Sequence, residues 1–221
     1  MMDKRVATLA DAVAGIRDGA TVLVSGFGEA GMPHGLLRAL IEQGARDLTV
    51  VSNNAGVGHT GIAALLQAGR VRKIVCSYPR SAGSVLFDEL YARGEVELDL
   101  VPQGTLSERI RAAAAGIGGF YVKTGVGTKL AEGKEVREIE GETYVLETPI
   151  RADVALVKAD KADRWGNLTY HASARNFGPV MAAAGGLTVV QVREVVGLGE
   201  IDPEHVVTPG IFVDRVVEVG P

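Results

Sequence analysis

Residues 21–33 read TVLVSGFGEAGMP. Within the first five, Thr21 to Ser25, the apolar residues Val22, Leu23 and Val24 follow one another without alternation, and Thr21, Val22 and Val24 are β-branched. That pattern predicts a strand covered on both faces, as parallel strands are. Gly26, Gly28 and Gly31 then follow in G-x-G-x-x-G spacing, and Pro33 suits the first turn of a helix. Strand, glycine loop and helix in this order predict the opening unit of a parallel α/β sheet.

The same alternation extends outward. Thr8 is placed to cap a helix with Leu9, Val13 and Ile16 on one face, ended by Asp18-Gly19. After the loop, Leu36, Leu37, Leu40 and Ile41 give the next helix an apolar face, and Gly44 stops it. Strands are expected at 48–52, 73–77 and 96–101, with helices at 62–67, 85–91 and 106–115. The expected fold is therefore α/β: an open, mostly parallel sheet with helices on both faces and right-handed crossovers.

The second half departs from this rhythm. Residues 136–147 alternate around Glu140-Gly141, which predicts a β-hairpin elaboration. Further strands are expected at 153–159 and 187–192. A helix is expected over 172–184, interrupted at Gly178-Pro179. The segment 211–219 is β-rich and should pair with a strand of this chain or of another. Residues 1–221 are expected to form one domain, with the alanines at 112–115 and 182–184 allowing close helix packing.

Composition excludes several classes. Lys and Arg total 23 against 27 Asp and Glu, a net charge of −4, so no basic surplus exists to bind nucleic acid. No stretch approaches the roughly 18–20 apolar residues of a membrane span. The N-terminal MMDKRVATLADAV lacks an apolar core of signal-peptide length, so a cytoplasmic protein without membrane partners is expected. Cys76 stands alone in an apolar run and is expected to be a buried, inert thiol. The four histidines share no ligand spacing, so no metal site is expected. Twenty-nine residues are glycine, about 13 % against the usual share of roughly 7 %.

The glycine loop matches a dinucleotide fingerprint, but its physics is general: glycines let backbone approach a phosphate at a helix start. A nicotinamide cofactor also needs an acid at the end of the second strand. Here that strand ends Ser52-Asn53-Asn54, and Asp47 lies at its wrong end. In open α/β sheets, ligands sit beyond the carboxyl ends of strands. The first four strands deliver the glycine loop, Asn53-Asn54, Ser77-Tyr78-Pro79-Arg80 and Pro102-Gln103-Gly104-Thr105. Carboxamides there suit the stabilisation of a developing oxyanion, although turn chemistry alone also favours them.

These motifs, together with VVSNNAG, VPQGTLSERIRA, GVGTKLAEGKE, RWGNLTY, ARNFGP and HVVTPGIFVD, span nearly the whole chain. The sequence thereby resembles the alpha chain of the two-chain family I CoA-transferases, the 3-oxoacid group. One departure is Ser25, where the family usually has a second glycine. The resemblance implies ping-pong transfer of CoA through a glutamyl-CoA thioester. The glutamate would lie in a Ser-Glu-Asn-Gly stretch of a B subunit, since no such stretch occurs here. The resemblance further implies an A2B2 heterotetramer with no catalytic nucleophile in this chain and no permanently bound cofactor. CoA and acyl-CoA would be substrates. Ser25, Gly26, Phe27, Gly28, Glu29, Ala30 and Gly31 match the loop assigned to CoA. Asn53, Asn54 and Gln103 match amides facing the active site.

The stretch CSYPRSAGSVLFDELY is more similar to 3-oxoadipate than to acetoacetate transferases. Succinyl-CoA and 3-oxoadipate are thus the expected substrates, with Arg80 a candidate for the distal carboxylate. Acetoacetate or another short 3-oxoacid is the alternative substrate. A non-catalytic CoA- or nucleotide-binding module is the alternative from outside enzymes.

Overall fold

A computed structural model describes residues 2–80 and 84–220. Helix α1 (Leu9–Val13) begins as the sequence predicts, with the Thr8 hydroxyl oxygen accepting from the Asp11 N–H at 3.0 Å. Then follow β1 (Thr21–Val24), α2 (His34–Gln43), β2 (Leu48–Val51), α3 (Ile62–Gln67), β3 (Val71–Cys76), α4 (Val85–Ala92), β4 (Glu97–Leu100) and α5 (Gln103–Ala114). The second half contains β5 (Phe120–Val122), β6 (Val136–Ile139), β7 (Glu142–Glu147), β8 (Ala152–Lys158), β9 (Lys161–Asp163) and β10 (Leu168–Thr169). It closes with α6 (Gly178–Ala184), β11 (Gly185–Val192), β12 (Glu194–Val196) and β13 (Arg215–Glu218).

Seven strands form one sheet in the order β13-β11-β8-β1-β2-β3-β4, and every neighbouring pair is parallel. Strand order reverses between β1 and β8: β2, β3 and β4 step away on one side, β11 and β13 on the other. Because the crossovers of a parallel sheet are right-handed, the two directions put their helices on opposite faces. Val22, Val24, Val50 and Ile74 pack against Leu36, Leu40, Ile62 and Phe87 from α2, α3 and α4. Leu23, Val51 and Val75 alternate onto the other face, against Leu106 and Ile110 of α5 and Met181 of α6. Helices α5 and α6 pack against each other, and Ala112 of α5 and Ala182 of α6 are both buried.

The hairpin is formed by β6 and β7, with Glu140 at φ 53° and Gly141 at φ 77°. Two positive φ values match the turn whose twist suits a tight hairpin. Glu147, at the end of β7, is buried, with Lys134 Nζ at 2.6 Å and Arg109 Nε at 3.7 Å. Arg109 lies on α5 and also donates to the Thr148 carbonyl at 2.7 Å, so the hairpin sheet is fastened to the main body through α5.

Three expectations change. Gly178-Pro179 does not interrupt a helix but begins one: α6 starts there, with Pro179 in its first turn and a separate 3₁₀ turn, Ala172–Arg175, before it. Helix α5 starts at Gln103, three residues earlier than expected. In the segment 211–219 only Arg215–Glu218 is strand, paired in parallel with β11, while Gly210–Phe212 is a 3₁₀ turn.

Two of the sequence motifs, RWGNLTY and HVVTPGIFVD, meet at a structural knot. The buried Asp163 carboxylate accepts from Trp165 N at 2.9 Å, Asn167 N at 3.1 Å and Asn167 Nδ2 at 2.8 Å. Asn167 Oδ1 in turn accepts from Gly210 N at 2.9 Å. A Cβ at Gly210 would lie 2.3 Å from the Trp165 carbonyl oxygen, so only glycine closes this approach. Asp163→Ala strands these donors and should lower unfolding free energy by about 1–3 kcal/mol in urea titrations. Asp163→Asn keeps an acceptor and should lose less.

Candidate functional site

Because all seven strands run the same way, their carboxyl ends share one edge, where β1 and β8 mark the reversal of order. Ser25 follows β1 there. Its buried hydroxyl donates to the Gly31 carbonyl at 2.7 Å and accepts from Lys158 N at 3.1 Å. The residue that departs from the family pattern thus ties both ends of the glycine loop together and fastens them to β8. Its φ is not positive, so no glycine is required at this position.

The loop folds on itself rather than opening into the helix. Phe27 and Ala30 exchange backbone hydrogen bonds, Phe27 N to Ala30 O at 3.0 Å and Ala30 N to Phe27 O at 3.2 Å. Gly28 and Glu29 form the tip, and Phe27 is 53 % exposed. Helix α2 begins only at His34, beyond Pro33. Two loop N–H groups are thereby used internally, unlike a turn whose amides all face a pyrophosphate. Gly31 (φ 81°) allows the closest approach: a Cβ there would lie 2.6 Å from the Ala174 carbonyl oxygen. Asn176 Nδ2 reinforces the contact by donating to Ala30 O at 2.8 Å. Glu29 Oε2 lies 2.8 Å from His34 Nε2.

The amides of the second and fourth strand ends come together. Gln103 Nε2 donates to Asn53 Oδ1 at 2.6 Å, and the Ser77 hydroxyl lies 3.0 Å from the same oxygen. The Asn53 carbonyl accepts from Ser77 N at 3.2 Å and Tyr78 N at 3.0 Å, which holds the backbone between β2 and β3. Asn54 Oδ1 accepts from Gly56 N at 2.8 Å. Both asparagines are 3 % exposed. Each therefore has its amide oxygen held by the protein, while neither Nδ2 donates to a protein acceptor among the described residues. Two oriented donors, lodged in a low-dielectric wall, suit a carboxylate or a developing oxyanion. Gln103 itself is exposed, as is Tyr78, so the cluster opens outward.

Cys76 ends β3 beneath this edge, fully buried, and burial pushes its thiol up to about 12. Arg80 is brought near neither amide nor loop by any hydrogen bond; its Nε donates to Asp88 on α4 at 2.9 Å. Residues 81–83, within the stretch that bears on substrate preference, lie outside the described residues. Among the described residues no group of three His, Cys, Asp or Glu side chains could hold a metal ion, and no helix is long and apolar enough to cross a membrane.

Three participants were not legible as such in the sequence. Ser77 stands at a strand end like its neighbours, and only its contact with Asn53 shows its use. Lys158 ends β8 and Gln191 is the last residue but one of β11, both in the second half of the chain and far in sequence from the first four strand ends. They line a cavity of about 960 Å³ on the other side of the glycine loop from the amides.

Comparison with known proteins matches residues 6–219 to the Coenzyme A transferase family. The chain is 62 % identical over 220 residues to the A chain of the 3-oxoadipate CoA-transferase of Pseudomonas putida, covering 100 % of this chain and 95 % of that one. It is 49 % identical over 216 residues to the A chain of the probable succinyl-CoA:3-ketoacid coenzyme A transferase of Bacillus subtilis (strain 168), covering 98 % and 90 %. Among solved structures, the CoA thioester complex of an acyl-CoA transferase from Escherichia coli O157:H7 superposes with a TM-score of 0.84 at 26 % identity. That match covers 99 % of this chain and 47 % of the other, so the present chain spans about half its length.

The buried thiol gives a direct check. In the native protein Cys76 should resist a water-soluble disulfide reagent at about pH 8, while the urea-unfolded chain labels fully. Rapid labelling of the native protein would contradict the burial described.

Proposed function

Since this chain belongs to the Coenzyme A transferase family, we propose that it is the alpha chain of an enzyme moving CoA from succinyl-CoA to 3-oxoadipate. The observation that carries the reading is the amide cluster: two buried carboxamides with tied oxygens, whose Nδ2 groups have no acceptor among the described residues, on a chain whose one thiol is inert. Such a surface can stabilise charge but cannot supply the nucleophile. A B subunit would provide the missing carboxylate, in an A2B2 assembly. Phe27 and Tyr78, exposed beside the loop and the amides, fit a site that a second chain completes.

In this reading the partner's glutamate attacks the thioester carbonyl of succinyl-CoA. The C–S bond breaks, leaving a mixed anhydride and CoA thiolate. The thiolate then attacks the glutamyl carbonyl, releasing succinate and forming a glutamyl-CoA thioester. A carboxylate of 3-oxoadipate reverses both steps and leaves as its CoA thioester. Each attack passes through an oxyanion, toward which Asn53 and Asn54 offer Nδ2–H donors and Gln103 a positioning bond to Asn53. One such donor is typically worth about 3–4 kcal/mol, or a hundredfold or more in rate. The loop from Ser25 to Gly31 lies at the strand-order reversal and is assigned to CoA. The preference for 3-oxoadipate follows the 62 % identical relative. Arg80 would meet the distal carboxylate only by sharing or leaving Asp88.

Co-expression with a partner bearing Ser-Glu-Asn-Gly tests the proposal. Borohydride or hydroxylamine after succinyl-CoA should modify the partner, and 3-oxoadipate should turn over faster than acetoacetate. Modification of this chain, or a preference for acetoacetate, would overturn the corresponding part. Asn53→Ala should lower kcat by about a hundredfold with the assembly intact. Gln103→Ala should cause a smaller loss, and an unchanged kcat in either variant would remove that residue from the site. An unchanged substrate preference in Arg80→Ala would remove Arg80.

A further inference from the structure

We propose that the cavity over the carboxyl ends of β8, β11 and β13 binds a small anion through phosphate or carboxylate oxygens. Its volume, about 960 Å³, falls within the upper range of small-molecule sites. It lies against β8, one of the two strands at which strand order reverses, where open α/β sheets place ligands.

One donor on its wall is oriented by the fold, and among the described residues it has no acceptor. Gln191 is 5 % exposed, and its Oε1 accepts from Leu36 N at 3.0 Å, in the first turn of α2. This bond determines which end of the carboxamide is which. Nε2 is left as a donor with no protein acceptor among the described residues, on a side chain that lines the cavity. The half-buried Lys158 and the exposed Arg38 also line it, and neither side chain has a hydrogen bond or ion pair among the described residues.

The acids in the same wall are engaged. Asp160 pairs with Arg193 at 3.0 Å, and Glu218 Oε2 accepts from Val195 N at 2.9 Å. The wall therefore carries three cations, Arg38, Lys158 and Arg193, against two carboxylates, Asp160 and Glu218, and among the described residues two of the cations and a buried N–H donor have no partner. Anionic oxygens are the chemistry that satisfies all three. The 3₁₀ turn that touches the glycine loop through Ala174 also lines the cavity, so an occupant would sit against the structure that supports the loop.

The test is equilibrium dialysis of labelled inorganic pyrophosphate and labelled malonate against the full chain, purified with its co-expressed partner. Saturable binding of at least one probe is expected. The probe that binds more tightly identifies phosphate or carboxylate as the preferred group. Lys158→Gln and Arg38→Gln should each raise Kd about tenfold or more, and Lys158→Arg should retain binding. Circular dichroism would establish that each variant is folded. Absence of saturable binding of both probes, or affinity unchanged in folded Lys158→Gln and Arg38→Gln proteins, would overturn the proposal.

Discussion

Every strand of the main sheet runs in one direction, and this constraint organises the molecule. Parallel strands cannot be joined by tight turns, so each connection must cross a face and return. All carboxyl ends then fall along one edge, and whatever chemistry the connections carry is collected there. The reversal of order between β1 and β8 adds a crevice midway along that edge. Ser25 stands in it, with its hydroxyl joining Gly31 to β8. The amides of β2 and α5 lie on one side of this junction, and Lys158 and Gln191 on the other.

The glycine loop illustrates how one sequence pattern serves different physics. In a dinucleotide site the glycines make room for phosphate. Here Gly31 makes room for a backbone carbonyl of the 3₁₀ turn, Ala174, and the loop closes on itself through Phe27 and Ala30. Its rigidity comes from within the protein. Likewise, Asp163 and Asn167 join two loops far apart in the chain, with the buried Asp163 carboxylate at the centre.

Much of this was legible from residue order. Unalternating β-branched runs marked the central strands, Thr8 marked a helix start, and Glu140-Gly141 marked the hairpin turn. Asn53, Asn54 and Gln103 could be placed at one edge because strand ends of a parallel sheet coincide. Their pairing could not be seen. Gln103 is the first residue of α5, fifty positions from Asn53, and whether its amide reaches Oδ1 depends on how α5 leaves β4. Gly178-Pro179 reads as a break because proline opposes a helix interior, whereas a proline is compatible with a helix start. Only the preceding chain path distinguishes the two.

The sequence alone determined the class of fold, the buried thiol, the identity of the edge residues and the resemblance to one chain of a two-chain transferase. These follow from local periodicity and residue chemistry, which neighbours along the chain carry. The tertiary structure decided which side-chain atoms are already engaged. It tied the oxygens of Asn53 and Asn54, gave Ser25 its two bonds and held Arg80 against Asp88, and among the described residues it left both Nδ2 groups and the Lys158 ammonium without an acceptor. Hydrogen bonds depend on distance and angle between residues far apart in the chain, and those are set only when the sheet and its helices pack.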